Sequence, residues 1–227
     1  MDKTQPDSVF DIIGPVMVGP SSSHTAGAVR IGRIARAMLG CPPAQALIEL
    51  HGSFALTGRG HGTDKALVAG LLGMEPSDEN IPHSFDLAEK AGLAYTIVDT
   101  DLGDEAHPNS VRITIQGENR QLEMIGASVG GGMIEVTELQ GYSVNFSGEL
   151  DTLIVIAEDQ PGTINTVTGW LMNQNINVAF LKVGRQQRGG EAIMIIETDQ
   201  PIPSPLVKSI SEFDWVRWVR RVRKLGE

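Results

Sequence analysis

The spacing of apolar residues changes period several times along the chain, and each change marks an element. Residues 9–19 are apolar and glycine-punctuated, running from Val9 and Phe10 to Val18 and closing at Gly19-Pro20. After Ser21-Ser22-Ser23 the pattern turns helical: Ile31, Ile34, Ala35 and Met38 recur at i, i+3, i+4 and i+7. This predicts a helix from Thr25 to Leu39 that Gly40 stops. Ala46 to Thr57 reads as extended, Gly58-Arg59-Gly60-His61-Gly62 as a loop, and Thr63-Asp64 as the start of a helix ending at Leu72 before Gly73. Further on, Phe85 to Ala91 suits a short helix and Leu93 to Val98 a strand, and Val111, Ile113 and Ile115 alternate as another. Leu122 to Ile125 and Met133 to Val136 read as strands around Gly130-Gly131-Gly132; the Ser128–Gly132 stretch suits either a hairpin or an anion nest.

The last third is plainer. Leu153 to Ala157 is an unbroken apolar strand, and Asp159-Gln160-Pro161-Gly162 turns into a helix from Thr163 to Asn173. Strands at Ile176–Val183 and Glu191–Glu197, a helix at Pro203–Ile210 and a strand at Trp215–Val222 complete the order βαββαβ. That order folds as a ferredoxin-like antiparallel sheet with both helices on one face. The fold class expected is therefore α+β, with one domain over residues 1–149 and a second over 150–227.

Charge and composition narrow the function classes. A net charge of −10, from 28 acidic and 18 basic residues, disfavours nucleic acid as a partner. The basic, aromatic C-terminus (Trp215, Arg217, Trp218, Arg220, Arg221) reads instead as a strand with a charged face. No apolar run approaches the ~20 residues of a membrane span, and Met1 to Ser8 is polar and acidic without a signal pattern. The expectation is a cytoplasmic protein with no membrane partner. One cysteine, Cys41, cannot form an internal disulfide. Since an iron–sulfur cluster needs about four ligands, mostly thiolates, no metal site is expected in this chain, and any such cluster has to come on another.

Polar side chains concentrate at a few places. Ser21-Ser22-Ser23-His24-Thr25 stands at a predicted helix start, where hydroxyls and free amides favour a carboxylate or phosphate, or simply cap the helix. His61, flanked by glycines, is open to close approach by a ligand. His107-Pro108-Asn109 is a turn. There is no Gly-x-Ser-x-Gly elbow and no strand–GxGxxG–helix unit, so neither a hydrolase triad nor a dinucleotide-binding half is indicated.

Two resemblances organise these features. The βαββαβ order with Asp-Gln-Pro-Gly after its first strand resembles an ACT domain. That resemblance implies an amino-acid effector, held between two copies, with Asp159, Gly162, Asn175 and Asn177 as its contacts here. The residues themselves also suit a helix cap and ordinary turns. The second resemblance rests on Gly19-Pro20-Ser21-Ser22-Ser23-His24-Thr25, Gly52-Ser53-Phe54, Thr57-Gly58, Gly60-His61-Gly62-Thr63-Asp64-Lys65-Ala66 and His107-Pro108-Asn109, in that order. These are similar to the β chain of two-subunit bacterial iron–sulfur-dependent L-serine dehydratases, over almost the whole length.

The resemblance implies conversion of L-serine to pyruvate and ammonia, with a [4Fe–4S] cluster on a separate α chain acting as Lewis acid on the substrate hydroxyl. It implies His61 as the base that takes the α-proton, a task suited to an imidazole. His24, with Ser22 and Ser23, then orients the carboxylate or assists proton movement, and the two histidines could exchange roles. Thr25, Thr63, Asp64 and Asn109 complete the expected substrate-binding set, Asp64 either fixing an imidazole tautomer or capping its helix. The ACT resemblance adds L-serine as a possible effector and oligomerisation through that domain. A non-catalytic amino-acid-sensing subunit is the alternative, as is the regulatory half of a phosphoglycerate-dehydrogenase-like enzyme.

Overall fold

The structure, a computed structural model, describes residues 16–225; most of the apolar stretch 9–19 lies outside them. A π-helical turn over Ser22–Gly27 runs directly into α1 (Ala28–Leu39). The apolar stripe read from the sequence is the buried face of α1, and Gly40 ends the helix at φ 76°. β1 (Gln45–Leu50) is followed by α2 (Ser53–His61) and, after the single residue Gly62, by α3 (Thr63–Leu72). Thus the second half of the predicted extended stretch is helical, and Gly58 to His61 ends a helix rather than forming a loop. Glycine's poor helix propensity is overridden by packing: Phe54 and Gly58 are buried, and a Cβ at Gly58 would stand 3.1 Å from Thr63 Cβ.

A 3₁₀ turn at Ile81–His83 leads into α4 (Ser84–Lys90). β2 (Ala94–Asp99), β3 (Ser110–Gly117), β4 (Arg120–Gly130), β5 (Met133–Leu139) and β6 (Tyr142–Phe146) follow. The first sheet has the order β2-β1-β3-β4-β5-β6, parallel at β1–β2 and antiparallel elsewhere. β6 has no counterpart in the sequence reading. The Ser128–Gly132 stretch is the β4–β5 hairpin, with Gly130, Gly131 and Gly132 all at positive φ. α1 packs on α3 at glycines: a Cβ at Gly32 would stand 2.4 Å from Leu67 O, and one at Gly70 2.2 Å from Val29 O.

The second sheet follows the expected order. β7 (Asp151–Glu158), α5 (Thr163–Asn173), β8 (Val178–Arg185), β9 (Glu191–Thr198), α6 (Ser204–Ser211) and β10 (Val216–Val222) form an antiparallel sheet β10-β7-β9-β8. Strand β7 is apolar at successive positions because both of its faces are buried. Leu153 and Val155 join Val167, Leu171 and Ile210 of the two helices. Ile154 and Ile156, with Ile193, Ile195 and Val222, belong instead to the core that includes the first sheet and α1. No helix among the described residues is long and apolar enough to cross a membrane.

Candidate functional site

The π-helical turn and α2 bring two histidines together. The rings of His24 and His61 have centroids 4.9 Å apart and are tilted by 41°. His24 also meets Phe54 edge-on at 5.3 Å. The turn that carries His24 is capped by Ser21, whose Oγ accepts from His24 N–H at 3.1 Å, so of the three serines it is Ser21 that acts as cap. Gly27 lets the turn rest on β4, since a Cβ there would stand 2.2 Å from Ser128 Oγ.

On α2, Ser53, Thr57 and His61 are spaced by four and share one helix face. His24 Nε2 lies 3.1 Å from Thr57 Oγ1 and 3.3 Å from Ser53 Oγ. The Thr57 hydroxyl donates to Ser53 O at 2.9 Å, so towards His24 it accepts, and Nε2 is the protonated nitrogen of that ring. His61 Nδ1 lies 3.0 Å from Thr57 O. A carbonyl oxygen can only accept, so Nδ1 of His61 carries a proton and Nε2 is the nitrogen left for a partner outside the helix. His61 is exposed and His24 half-buried, leaving the pair on an open face. Burial and the neighbouring charge of His61 hold the His24 imidazole below its ordinary pKa, against a smaller opposing contribution from Ser53.

Other expected residues gather here. Thr25 is buried and donates from Oγ1 to His61 O at 3.3 Å, tying the turn to the end of α2. Ser22 and Ser23 stand in the same turn. The His107-Pro108-Asn109 turn backs α2, with Pro108 O accepting from Ser53 N–H at 2.7 Å. Asn109 Nδ2 donates to Ser128 O at 3.4 Å, while Asn109 Oδ1, Thr63 Oγ1 and Ser128 Oγ are buried without a hydrogen-bond partner among the described residues. Asp64 touches neither imidazole: it sits in the first turn of α3 and its Oδ1 accepts from Lys65 N–H. Asp64 makes neither expected contact: Gly62 occupies the N-cap of α3 without a side-chain cap bond, and the tautomer of His61 is set by Thr57 O. Ser21, Ser53, Thr57 and Ser128 escaped the candidate set. The four-residue spacing of Ser53, Thr57 and His61 was a usable signal, hidden by reading the stretch as extended.

The four ACT-region residues divide between the ends of the second sheet. Asp159 and Gly162 stand at the end of β7, where Asp159 Oδ2 accepts from Arg185 Nη1 at 2.8 Å and Gly189 N–H at 3.1 Å. The Gly189 N–H and then Arg185 hold that carboxyl below the usual range. Asn175 and Asn177 stand past the far end of α5. Asn175 takes φ 57° at the helix exit, and Asn177 Nδ2 donates to Asp199 Oδ2 at 2.6 Å.

The donors present do not fit an iron–sulfur cluster. The chain has one cysteine, and Cys41 Sγ is directed to Gly117 O at 3.4 Å. No group of three or more His, Cys, Asp or Glu suited to a metal ion occurs among the described residues.

The serine dehydratase beta chain family matches residues 8–99, which include both histidines, and the ACT domain family matches residues 152–214. The "Probable L-serine dehydratase, beta chain" of Bacillus subtilis is 43% identical over 215 residues, covering 95% of this chain and 97% of that one. This chain belongs to the L-serine dehydratase beta-chain family. The "L-serine dehydratase, beta chain" of Peptoniphilus asaccharolyticus is 41% identical over 204 residues, 89% of this chain and 92% of its own. "L-serine dehydratase TdcG" of Escherichia coli is 34% identical over 159 residues, but those are 60% of this chain and only 35% of that protein. The likeness to beta chains thus runs nearly end to end, whereas TdcG extends well beyond the shared part. The motifs that carry the family likeness meet in space around His24 and His61.

Proposed function

We propose that this beta chain forms one wall of a serine ammonia-lyase site, facing a cluster-bearing alpha chain in the cytoplasm, and that His61 takes the α-proton of L-serine. The observation that carries the reading is the disposition of His61: in this exposed side chain Nδ1–H is tied to Thr57 O at 3.0 Å, which leaves Nε2 to meet a substrate. Breaking the Cα–H bond requires a base that is neutral near working pH and within reach of substrate, and a general base of this kind contributes about 10²–10⁴-fold. Burial and its neighbour lower the pKa of His24 below the ordinary imidazole value. Its Nε2–H faces Ser53 and Thr57, so its role is to position His61 and to hold the hydroxyl-rich edge that receives the substrate carboxylate. Ser22, Ser23, Thr25, Thr63 and Asn109 supply that polar surround.

The overall change is loss of the β-hydroxyl as water to give 2-aminoacrylate, whose imine tautomer takes up water and releases ammonia, leaving pyruvate. The chain's own donors do not fit a [4Fe–4S] cluster, so the cluster belongs to the alpha chain in this reading, and the beta chain alone is inactive. The open face around the histidines supports a site that a partner completes.

The ACT domain senses an amino acid, L-serine first among candidates, between two copies of the chain. β8 ends the second sheet's order, and it exposes Phe180 (65%), Leu181 (41%) and Val183 (42%). An unpaired, apolar edge strand is a template for pairing. Two β8 edges joined antiparallel about a two-fold axis would set Asp159 and Gly162 of one copy near Asn175 and Asn177 of the other.

The test is His61→Ala in the assembled α–β complex, prepared without oxygen. Turnover of L-serine is expected to fall by about 10²–10⁴-fold with the complex and its cluster spectrum intact. Near-normal turnover would remove His61 as the base.

A further inference from the structure

Away from the histidines, Arg120, Lys208, Arg220 and Arg221 line one cleft of this acidic chain. Where a Cβ on Gly40 would stand, Arg120 Nη1 and Arg220 Nε each lie 3.3 Å away, so two guanidiniums flank one point at the end of α1. Arg120 comes from the start of β4 in the first sheet and Arg220 from β10 in the second. They line, with Gly40, Lys208, Ser204 and Arg221, an open cleft of about 370 Å³ between α1 and the α6–β10 surface.

Part of this charge has a structural use. Arg120 Nη1 donates to Gly40 O at 3.1 Å, and Arg220 donates from Nε to Met38 O at 3.2 Å and from Nη1 to Val219 O at 2.9 Å. Cations at a helix C-terminus are favourable. Carbonyl capping does not account for the whole arrangement. Burial, and then the like charge of Arg120, weaken the hold of Arg220 on its proton. No carboxylate is paired with Arg120, Arg220 or Lys208 among the described residues, although the chain carries 28 acidic residues. Arg221 differs, since it donates to Ile202 O and faces Asp151. Donors therefore remain on Arg120, Arg220 and Lys208, three residues that line one cleft.

We propose that this cleft binds a small oxyanion of two or more negative charges, a phosphate monoester or a di- or tricarboxylate, and that the anion clamps the ACT domain to the end of α1. Guanidinium forks suit both classes of oxyanion. α1 continues directly from the turn that carries His24, so the clamp acts on the helix that follows one member of the histidine pair. Nothing in this inference depends on serine turnover or on an alpha chain.

The full-length chain is titrated with inorganic phosphate and with citrate, against sodium chloride of equal ionic strength, by calorimetry and thermal unfolding. At about 10 mM, one or both anions are expected to raise the Tm by about 3 °C beyond the chloride control. Arg120→Gln and Lys208→Gln should each weaken binding about tenfold, the cost of one charge-assisted hydrogen bond, whereas Lys90→Gln on α4 should leave it unchanged. Tighter phosphate assigns the site to phosphate esters, and tighter citrate to polycarboxylates. An equal response to chloride, or equal binding by the parent and both cleft variants, overturns the proposal.

Discussion

Two imidazoles in ring contact cannot both hold a proton cheaply, and this chain resolves the conflict by burying one of them. His24 is the half-buried member, with a pKa below its ordinary value through burial first and His61 second. A histidine depressed in the fold binds its proton more readily in the unfolded chain. Stability then rises with pH up to about the free value near 6.5, and is lost as pH falls through that window. The Tm of the parent is expected to drop more steeply than that of His24→Asn between pH ~7.5 and ~5.5. Parallel pH dependence in the two proteins would show that His24 carries no such linkage. The tautomer of His61 was not visible in the sequence, because the group that sets it is the carbonyl of Thr57, and any residue supplies a carbonyl.

At the scale of elements, the histidine pair depends on how closely α1 and α3 approach. His61 closes α2, which Gly62 joins to α3, and His24 leads into α1, so the α1–α3 contact sets the spacing of the pair. That contact is glycine against backbone at Gly32 and Gly70. In Gly70→Ala, a methyl group 2.2 Å from Val29 O would force the helices apart. The expected cost is about 1–3 kcal/mol, read as a Tm lower by roughly 3–10 °C, whereas Gly169→Ala, with open space around it, should be neutral or stabilising. Equal Tm values would show that the approach is not tight. The periodicity of α1 identified it from sequence, as did the alternation in β3. α2 was misread because Gly58 and Gly60 argue against helix locally, while the burial of Phe54 and Gly58 decides it.

At the scale of the molecule, the central strands β7 and β9 of the second sheet are buried on both faces. One face lies under α5 and α6, and the other carries Ile154, Ile156, Ile193 and Ile195 into the core of the first sheet. A fragment limited to residues 150–227 would expose that second face, so serine binding is best measured on the full chain. Phe180→Asp is expected to shift the mass in solution from dimer towards monomer and to remove the calorimetric heat of L-serine binding. A variant that keeps both would remove β8 as the interface.

Local information was enough for much of this protein. Hydrophobic period placed α1, the alternating strands and the whole βαββαβ order, because each reflects a single buried face or stripe repeating at its own spacing. One cysteine in 227 residues already put a four-thiolate cluster beyond this chain's own means. The tertiary structure alone decided what depends on residues distant in sequence. It made α2 a helix, set the proton on His61, separated Asp159 from Asn177 within one copy, and brought Arg120 and Arg220 to the same point at Gly40. Those outcomes turn on burial and on backbone groups common to all residues, which no spacing of side-chain types records.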